Sequence, residues 1–262
     1  MRSDIVIVEG AEGYASIALN RPEKLNALTP AMLSALRGAI AVATQDSRYR
    51  AILITGRGRG FCSGKDITVR PEGAPEDPSA KRALELLYNP IIRAIAASEK
   101  PVICAVNGVA AGAGANIALA CDFVLAGRSA RFIQSFVKIG LVPDCGGTYF
   151  LPRLVGRAQA MGLAMLGESI TAEEAARIGM IWRCVDDDAL ESEAKALASR
   201  LAAMPPIALG LVKKAIAQSP RNDIESQLDL EREYQAIARE TEDHKEGLRA
   251  FAEKRAAKFN GR

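Results

Sequence analysis

The chain has 262 residues, 49% hydrophobic and 25% charged, which fits an ordinary globular protein and excludes a disordered or low-complexity polymer. Its length allows one large domain, or one with a small appendage, and a core that needs no disulfide or metal. The net charge of +3 is too small to argue for nucleic acid or a membrane surface as partner.

The opening "MRSDIVIVEG" has an early acid and no long apolar run, so a signal peptide is not expected. "IVIVEG" and "YASIALN" are two β-rich runs around Ala11-Glu12-Gly13, a hairpin signal. "TPAMLSALRGAIAVATQD" predicts an amphipathic helix, with Thr29 as N-cap and Pro30 at its first position. "AILITG" is a buried strand, followed by the glycine-rich "RGRGFCSGKD". Residues 71–78, "PEGAPEDP", suggest a mobile surface loop. "SAKRALELLYNPIIRAIAAS" is helical, with Pro90 interrupting it.

Residues 101–121 carry no charge, a length that could cross a bilayer. The stretch also holds Asn107, Gly108, Gly112, Gly114 and Asn116 and few large aliphatics. A buried strand, a glycine loop and a buried helix explain it better than a membrane span. "FVLAG" and "RFIQ" are short strands. Beyond residue 150 the pattern turns helical, with only "IWRCV" extended and a capping box at Thr171–Glu174. The reading is α/β, a core over residues 1–200 followed by a helical region over 201–262.

Much chemistry is missing. The one histidine, His244, lies in the polar "EDHKEG" and reads as a solvated surface residue. No G-x-S-x-G elbow supplies a triad serine, and a histidine-based metal site is equally unsupported. The cysteines Cys62, Cys104, Cys121, Cys145 and Cys184 form no C-x-x-C pair. Scattered in apolar contexts, they read as buried thiols, which suits a cytoplasmic protein. "GRGRGFCSGKD" fails the Walker pattern, with Arg59 and Asp66 at required positions, and fails G-x-G-x-x-G at Ser63.

What remains is a pair of strand–glycine loop–helix units, "AILITGRGRGFCSGKDI" and "PVICAVNGVAAGAGANIAL". Each could be a mere tight turn. Together they could aim backbone N–H groups at one oxygen. Between them and the helical half lies "LVPDCGGT". By local sequence, Asp144 there is a turn-former, a helix cap or a carboxylate in an apolar site.

With "LNRPEKLNAL", "KPVICAVNGVAAGAGANIALACDFVLA", "KIGLVPDCGGTYFLPRLVG" and "EEAARIGMIWRCV", the chain resembles the crotonase, or enoyl-CoA hydratase/isomerase, superfamily over almost its whole length. The resemblance implies a spiral of ββα units with a C-terminal helical trimerisation region, and a homotrimer or dimer of trimers. It implies an acyl-CoA substrate and no cofactor or metal. The thioester oxygen would rest on the N–H groups of Lys65 and Ala113. Lys24 and Leu25 would contact the nucleotide end of coenzyme A, with Ser63, Lys65 and Asp66 along its path. Arg57 and Arg59 are further phosphate candidates. Gly112, Asn116 and Phe136 would border the acyl group.

The chain departs from the hydratase pattern of two glutamates. Those positions hold Asn116 and Phe136, neither able to transfer a proton at neutral pH. The residue after Pro143, glycine in typical hydratases, is Asp144. One carboxylate in an apolar pocket suits isomerisation, with Asp144 as the acid/base. Asn116 is either a donor to substrate or a structural residue. The competing readings are a fatty enoyl-CoA isomerase, a weak hydratase and a non-catalytic acyl-CoA-binding scaffold.

Overall fold

The computed structural model describes residues 4–11, 13–67 and 80–262. The hairpin forms as read, β1 (Val6–Ala11) antiparallel to β2 (Tyr14–Leu19). A 3-10 turn, Pro22–Lys24, precedes α1 (Pro30–Gln45). There the Thr29 hydroxyl accepts the Met32 amide, the bond its Thr-Pro start predicts. β3 (Ala51–Gly56) is followed by β4 (Gly60–Cys62). The 71–78 loop lies outside the described residues. The next helix runs as α2 (Ala80–Ala83), a π turn at Leu84–Tyr88 and α3 (Asn89–Ala97). Pro90 therefore does not break the helix. A wider turn, with the Asn89 amide on the Leu84 carbonyl, precedes it.

β5 (Val102–Val106), β6 (Val109–Ala111) and α4 (Ala113–Leu119) account for the uncharged stretch. Among the described residues no single helix is long and apolar enough to cross a membrane. β7 (Phe123–Gly127), β8 (Arg131–Ile133) and α5 (Gly147–Leu166) come next, α5 being broken at Gly156. Then follow β9 (Ser169–Thr171), α6 (Ala172–Arg177), β10 (Arg183–Val185), α7 (Leu190–Ala202), α8 (Pro206–Gln218), α9 (Ile224–Glu240) and α10 (Glu242–Ala252). The Thr171 hydroxyl caps the Glu174 amide, but the Glu174 carboxylate turns to Arg177 rather than completing the capping box.

The chain repeats one move three times. A strand enters a large sheet, the next enters a small sheet, and a helix returns: β3-β4-α2/α3, β5-β6-α4, β7-β8-α5. This is the ββα spiral. The large sheet has the order β1-β2-β3-β5-β7-β10 and the small one β4-β6-β8-β9. Strands β4, β6 and β9 fall in segments read as loop or helix. With three residues each, they are too short to show alternation.

Both faces of the large sheet are covered, which is why its strands read as continuous apolar runs. Ile52, Ile54, Cys104 and Val106 pack with Met32, Leu36 and Ile40 of α1 and Ile91 and Ile95 of α3. On the other face Leu53, Ile103 and Leu125 meet Leu190, Ala194, Ala198 and Leu201 of α7. The helical region expected over 201–262 holds α8 to α10, with Val212, Ile216, Leu228, Leu248 and Phe251 exposed. Within it the buried carboxylates of Asp243 and Glu246 take the amides of Asn260, Gly261 and Lys258, pinning the C-terminal residues onto α10.

Candidate active site

Three pieces of backbone meet around α4: the loop after β4, the junction of β6 with α4, and the turn before α5. The first is set by Leu28, whose amide donates to the Gly64 carbonyl at 2.7 Å and whose carbonyl accepts the Asp66 amide at 3.0 Å. This parallel bridge pairs Leu28 with Lys65 and so turns the Lys65 amide to the opposite side of the chain. Gly64 makes the approach possible. Its φ is +91°, and an added Cβ would lie 2.9 Å from the Ala111 carbonyl oxygen and 3.8 Å from the Ala113 nitrogen. Ala113 is the first residue of α4, after Gly112 as N-cap, so its amide has no acceptor within the helix. The Lys65 and Ala113 amides, expected to share an oxygen, thus lie on neighbouring strands of backbone. Gly114 seals the seam, with space for its Cβ filled by Cys62.

Asp144 occupies the third piece. It does not cap α5: Gly146 is the N-cap and no side chain bonds the first turn. Its carbonyl accepts the Gly147 amide at 2.9 Å, which makes the segment a backbone turn. Cys145 and Gly146 both have positive φ, +50° and +74°. For cysteine that is strained backbone, held beside the carboxylate. Oδ1 of Asp144 is shut off from solvent and accepts no hydrogen bond from the described residues. Burial raises the Asp144 carboxyl above its ordinary range, and the Cys145 thiol, its own amide and the Lys65 charge oppose this in part. Cys145 stays a thiol, pushed upward by burial and by Asp144. Cys62, at the seam, is pushed to about 12 by burial.

Phe136 is buried, its ring 3.7 Å from where a Gly112 Cβ would stand, so it packs under the Gly112 turn. Asn116 is fully buried, and both its polar atoms bond to the protein, Nδ2 to the Asp144 carbonyl and Oδ1 to the Gln134 amide, each at 2.8 Å. Both polar atoms are thus engaged within the protein, which favours the structural reading of the two. Asp66 is likewise turned inward. Its carboxylate lies 3.1 Å from both terminal nitrogens of Arg21, a pair buried enough to lock the loops rather than face a ligand. Lys24 is exposed, Leu25 and Ser63 are half-buried, and the Ser63 hydroxyl points to the Lys24 carbonyl at 3.5 Å. Arg59 is exposed, and Arg57 is held by Glu9 at 3.2 Å. His244 is exposed on α10, which packs on α9. No cluster of metal-binding side chains occurs among the described residues.

Sequence reading missed Asn26, which ties the first two loops together. Fully buried with φ +54°, it accepts the Arg21 amide at 2.8 Å and donates to the carbonyls of Gly60 and Arg57. The only signal was an asparagine, tolerant of left-handed backbone, after "EKL". Asn26→Ala orphans buried groups worth about 1–3 kcal/mol each. Urea denaturation is expected to show a loss of at least about 2 kcal/mol. A loss under about 0.5 kcal/mol, the scale of an unimportant surface change, would mean these bonds do not hold the loops.

Comparison with known proteins fits this geometry. Residues 9–262 match the family described as enoyl-CoA hydratase/isomerase. The chain is 47% identical over 262 residues to the 1,2-epoxyphenylacetyl-CoA isomerase of Escherichia coli, covering 99% of each. It is also 47% identical over 254 residues to a Rhodobacter capsulatus protein named a probable enoyl-CoA hydratase, covering 97% of each. The crystal structure of an enoyl-CoA hydratase from Bacillus anthracis superposes with a TM-score of 0.93 at 32% identity, covering 99% of this chain and 100% of that one.

Proposed function

The chain belongs to the enoyl-CoA hydratase/isomerase family, and from that premise we propose that it is an acyl-CoA isomerase whose single working carboxylate is Asp144. One observation carries this reading. Asp144 presents a buried oxygen without a partner, while Asn116 and Phe136 stand where a hydratase of this family has glutamates. Hydration must activate a water and protonate a carbon. Isomerisation takes a proton from one carbon and returns it to another, so one carboxylate serves both steps. As the proton leaves, charge moves onto the thioester oxygen. The Lys65 and Ala113 amides are fixed before the reaction and stabilise that charge without reorganising. Neither a metal nor a cofactor enters these steps.

The substrate we propose is ring-1,2-epoxyphenylacetyl-CoA, converted to its seven-membered oxepin isomer. The support is the 47% identity to a named epoxide isomerase over the full chain. The nucleotide end of coenzyme A would pass Lys24, Leu25 and Ser63, which are joined by the Ser63 amide on the Leu25 carbonyl and the Ser63 hydroxyl on the Lys24 carbonyl. The protein would act in the cytoplasm as a homotrimer or dimer of trimers. The exposed apolar side chains of α8 to α10 are suited to that contact.

The test offers purified protein three esters: the ring epoxide, a 3-enoyl-CoA and crotonyl-CoA. Turnover of the epoxide at a kcat/KM at least about 10-fold above the others is expected, a gap of about 1.4 kcal/mol. Preference for the 3-enoyl ester would make the protein a fatty enoyl isomerase. Dominant water addition to crotonyl-CoA would overturn the isomerase reading.

A further inference from the structure

The geometry points to Asn116 and Gln134 as positioning residues for Asp144, a buried amide pair that fixes the turn carrying the base; the role rests on the isomerase reading above. Gln134, 3% exposed at the end of β8, donates from Nε2 to Asn116 Oδ1 at 2.8 Å. Asn116, in α4, donates from Nδ2 to the Asp144 carbonyl at 2.8 Å. The link has a direction. Because the Asp144 carbonyl can only accept, Asn116 presents Nδ2 to it and leaves Oδ1 for Gln134 Nε2, although Gln134 Oε1 itself is buried without a partner among the described residues. The Asn116 N–H is therefore held toward the turn.

The turn is built to receive that N–H. A Cβ on Gly147 would lie 2.3 Å from Asn116 Nδ2, so α5 begins flush against the amide. The positive φ values of Cys145 and Gly146, strained for the cysteine, lie between that anchor and the helix. A base must keep its place within a few tenths of an ångström, and misplacement by about 1 Å can cost 10²-fold. Here a side chain with no role in proton transfer sets the backbone of the residue that has one.

The bond also bears on the amide at 116. A glutamate at 116, the hydratase choice, would accept hydrogen bonds and face the Asp144 carbonyl with like polarity. An amide at 116 thus suits the carbonyl of residue 144, and Gln134 takes up its other atom.

Three variants test this: Asn116→Ala, Gln134→Glu and Asp144→Asn, each measured for turnover, KM and melting temperature. Asn116→Ala is expected to lower kcat by about 10–100-fold with KM nearly unchanged. Gln134→Glu is isosteric and carries a readout of its own. Its protonated acid can still donate to Asn116, whereas its carboxylate cannot, so Asn116 turns over as pH rises. A descending alkaline limb in kcat, absent from wild type, is expected. The ionisable groups that already face Asp144 are Cys145 and Lys65, and they are common to both proteins. If Asn116→Ala fails to fold, the Gln134→Glu profile decides alone, because both of its states are read in one folded protein. Wild-type kcat and pH profile in the Asn116 and Gln134 variants, beside an inactive Asp144→Asn, would overturn the positioning role and leave the isomerase reading intact. Activity retained in Asp144→Asn would instead overturn the isomerase reading, and the positioning role with it.

Discussion

Asp144→Asn is expected to lower kcat for isomerisation by about 10²–10⁴-fold, the range supplied by a general base, while leaving affinity for the CoA ester almost unchanged. The substitution keeps size and polarity and removes only the ability to take a proton. Exchange of solvent deuterium into the acyl group should vanish with turnover, because both need the same proton transfer. In wild type, kcat/KM is expected to fall as acid protonates Asp144. Burial raises this carboxyl above its ordinary 3.8, so the fall should begin at a higher pH than a solvent-exposed aspartate would give. A rate flat down to pH 4 would contradict the burial, and an active Asp144→Asn would remove the base.

The same substitution should stabilise the fold. A carboxyl whose folded pKa lies above its unfolded one contributes stability that is fully present below the unfolded value. That contribution is lost as pH rises through the folded pKa. At neutral pH the buried charge of Asp144 is therefore a liability, and asparagine removes it. Melting of Asp144→Asn is expected above wild type at pH 7, with the gap closing toward pH 4. Such an exchange of stability for activity is what a strained, desolvated active site produces.

Local signals carried the regular elements. The Thr29–Pro30 start of α1 and the β1–β2 hairpin needed only neighbouring residues, and both appear where they were read. The small sheet was not legible because β4, β6 and β9 are three residues each and two lie in glycine-rich sequence. Asp144 stood out once the chain's likeness to a family placed it in a pocket. The octapeptide alone also fits a turn, and the structure does make one. The amides that support the site were out of reach for a different reason. Gln134 meets Asn116 across 18 residues, Asn116 meets Asp144 across 28, and Asn26 meets Gly60 across 34. A buried amide looks in sequence like any surface amide. Only the fold shows that its donors and acceptors close a network.

Ala113→Pro should separate the oxyanion donor from the base. Ala113 is the first residue of α4, the helical position that proline tolerates best because no intrahelical bond uses its N–H. The neighbouring bonds survive: the Gly112 amide on the Ile133 carbonyl at 2.8 Å and the Asn116 amide on the Gly112 carbonyl at 3.1 Å. The expected outcome is a folded protein whose kcat is lower by about 10²–10³-fold, the worth of one such donor. The acid limb set by Asp144 should stay where it is, since nothing beside the carboxylate changes. A kcat within about threefold of wild type, well under the worth of one donor, would mean that the thioester charge is not held there. An increase in KM alone would mean that the N–H grips substrate and transition state equally. An oxyanion donor still acts when the base is gone, so the double variant should lose more than Asp144→Asn alone. A double variant no slower than Asp144→Asn would mean that the two groups act only as a unit.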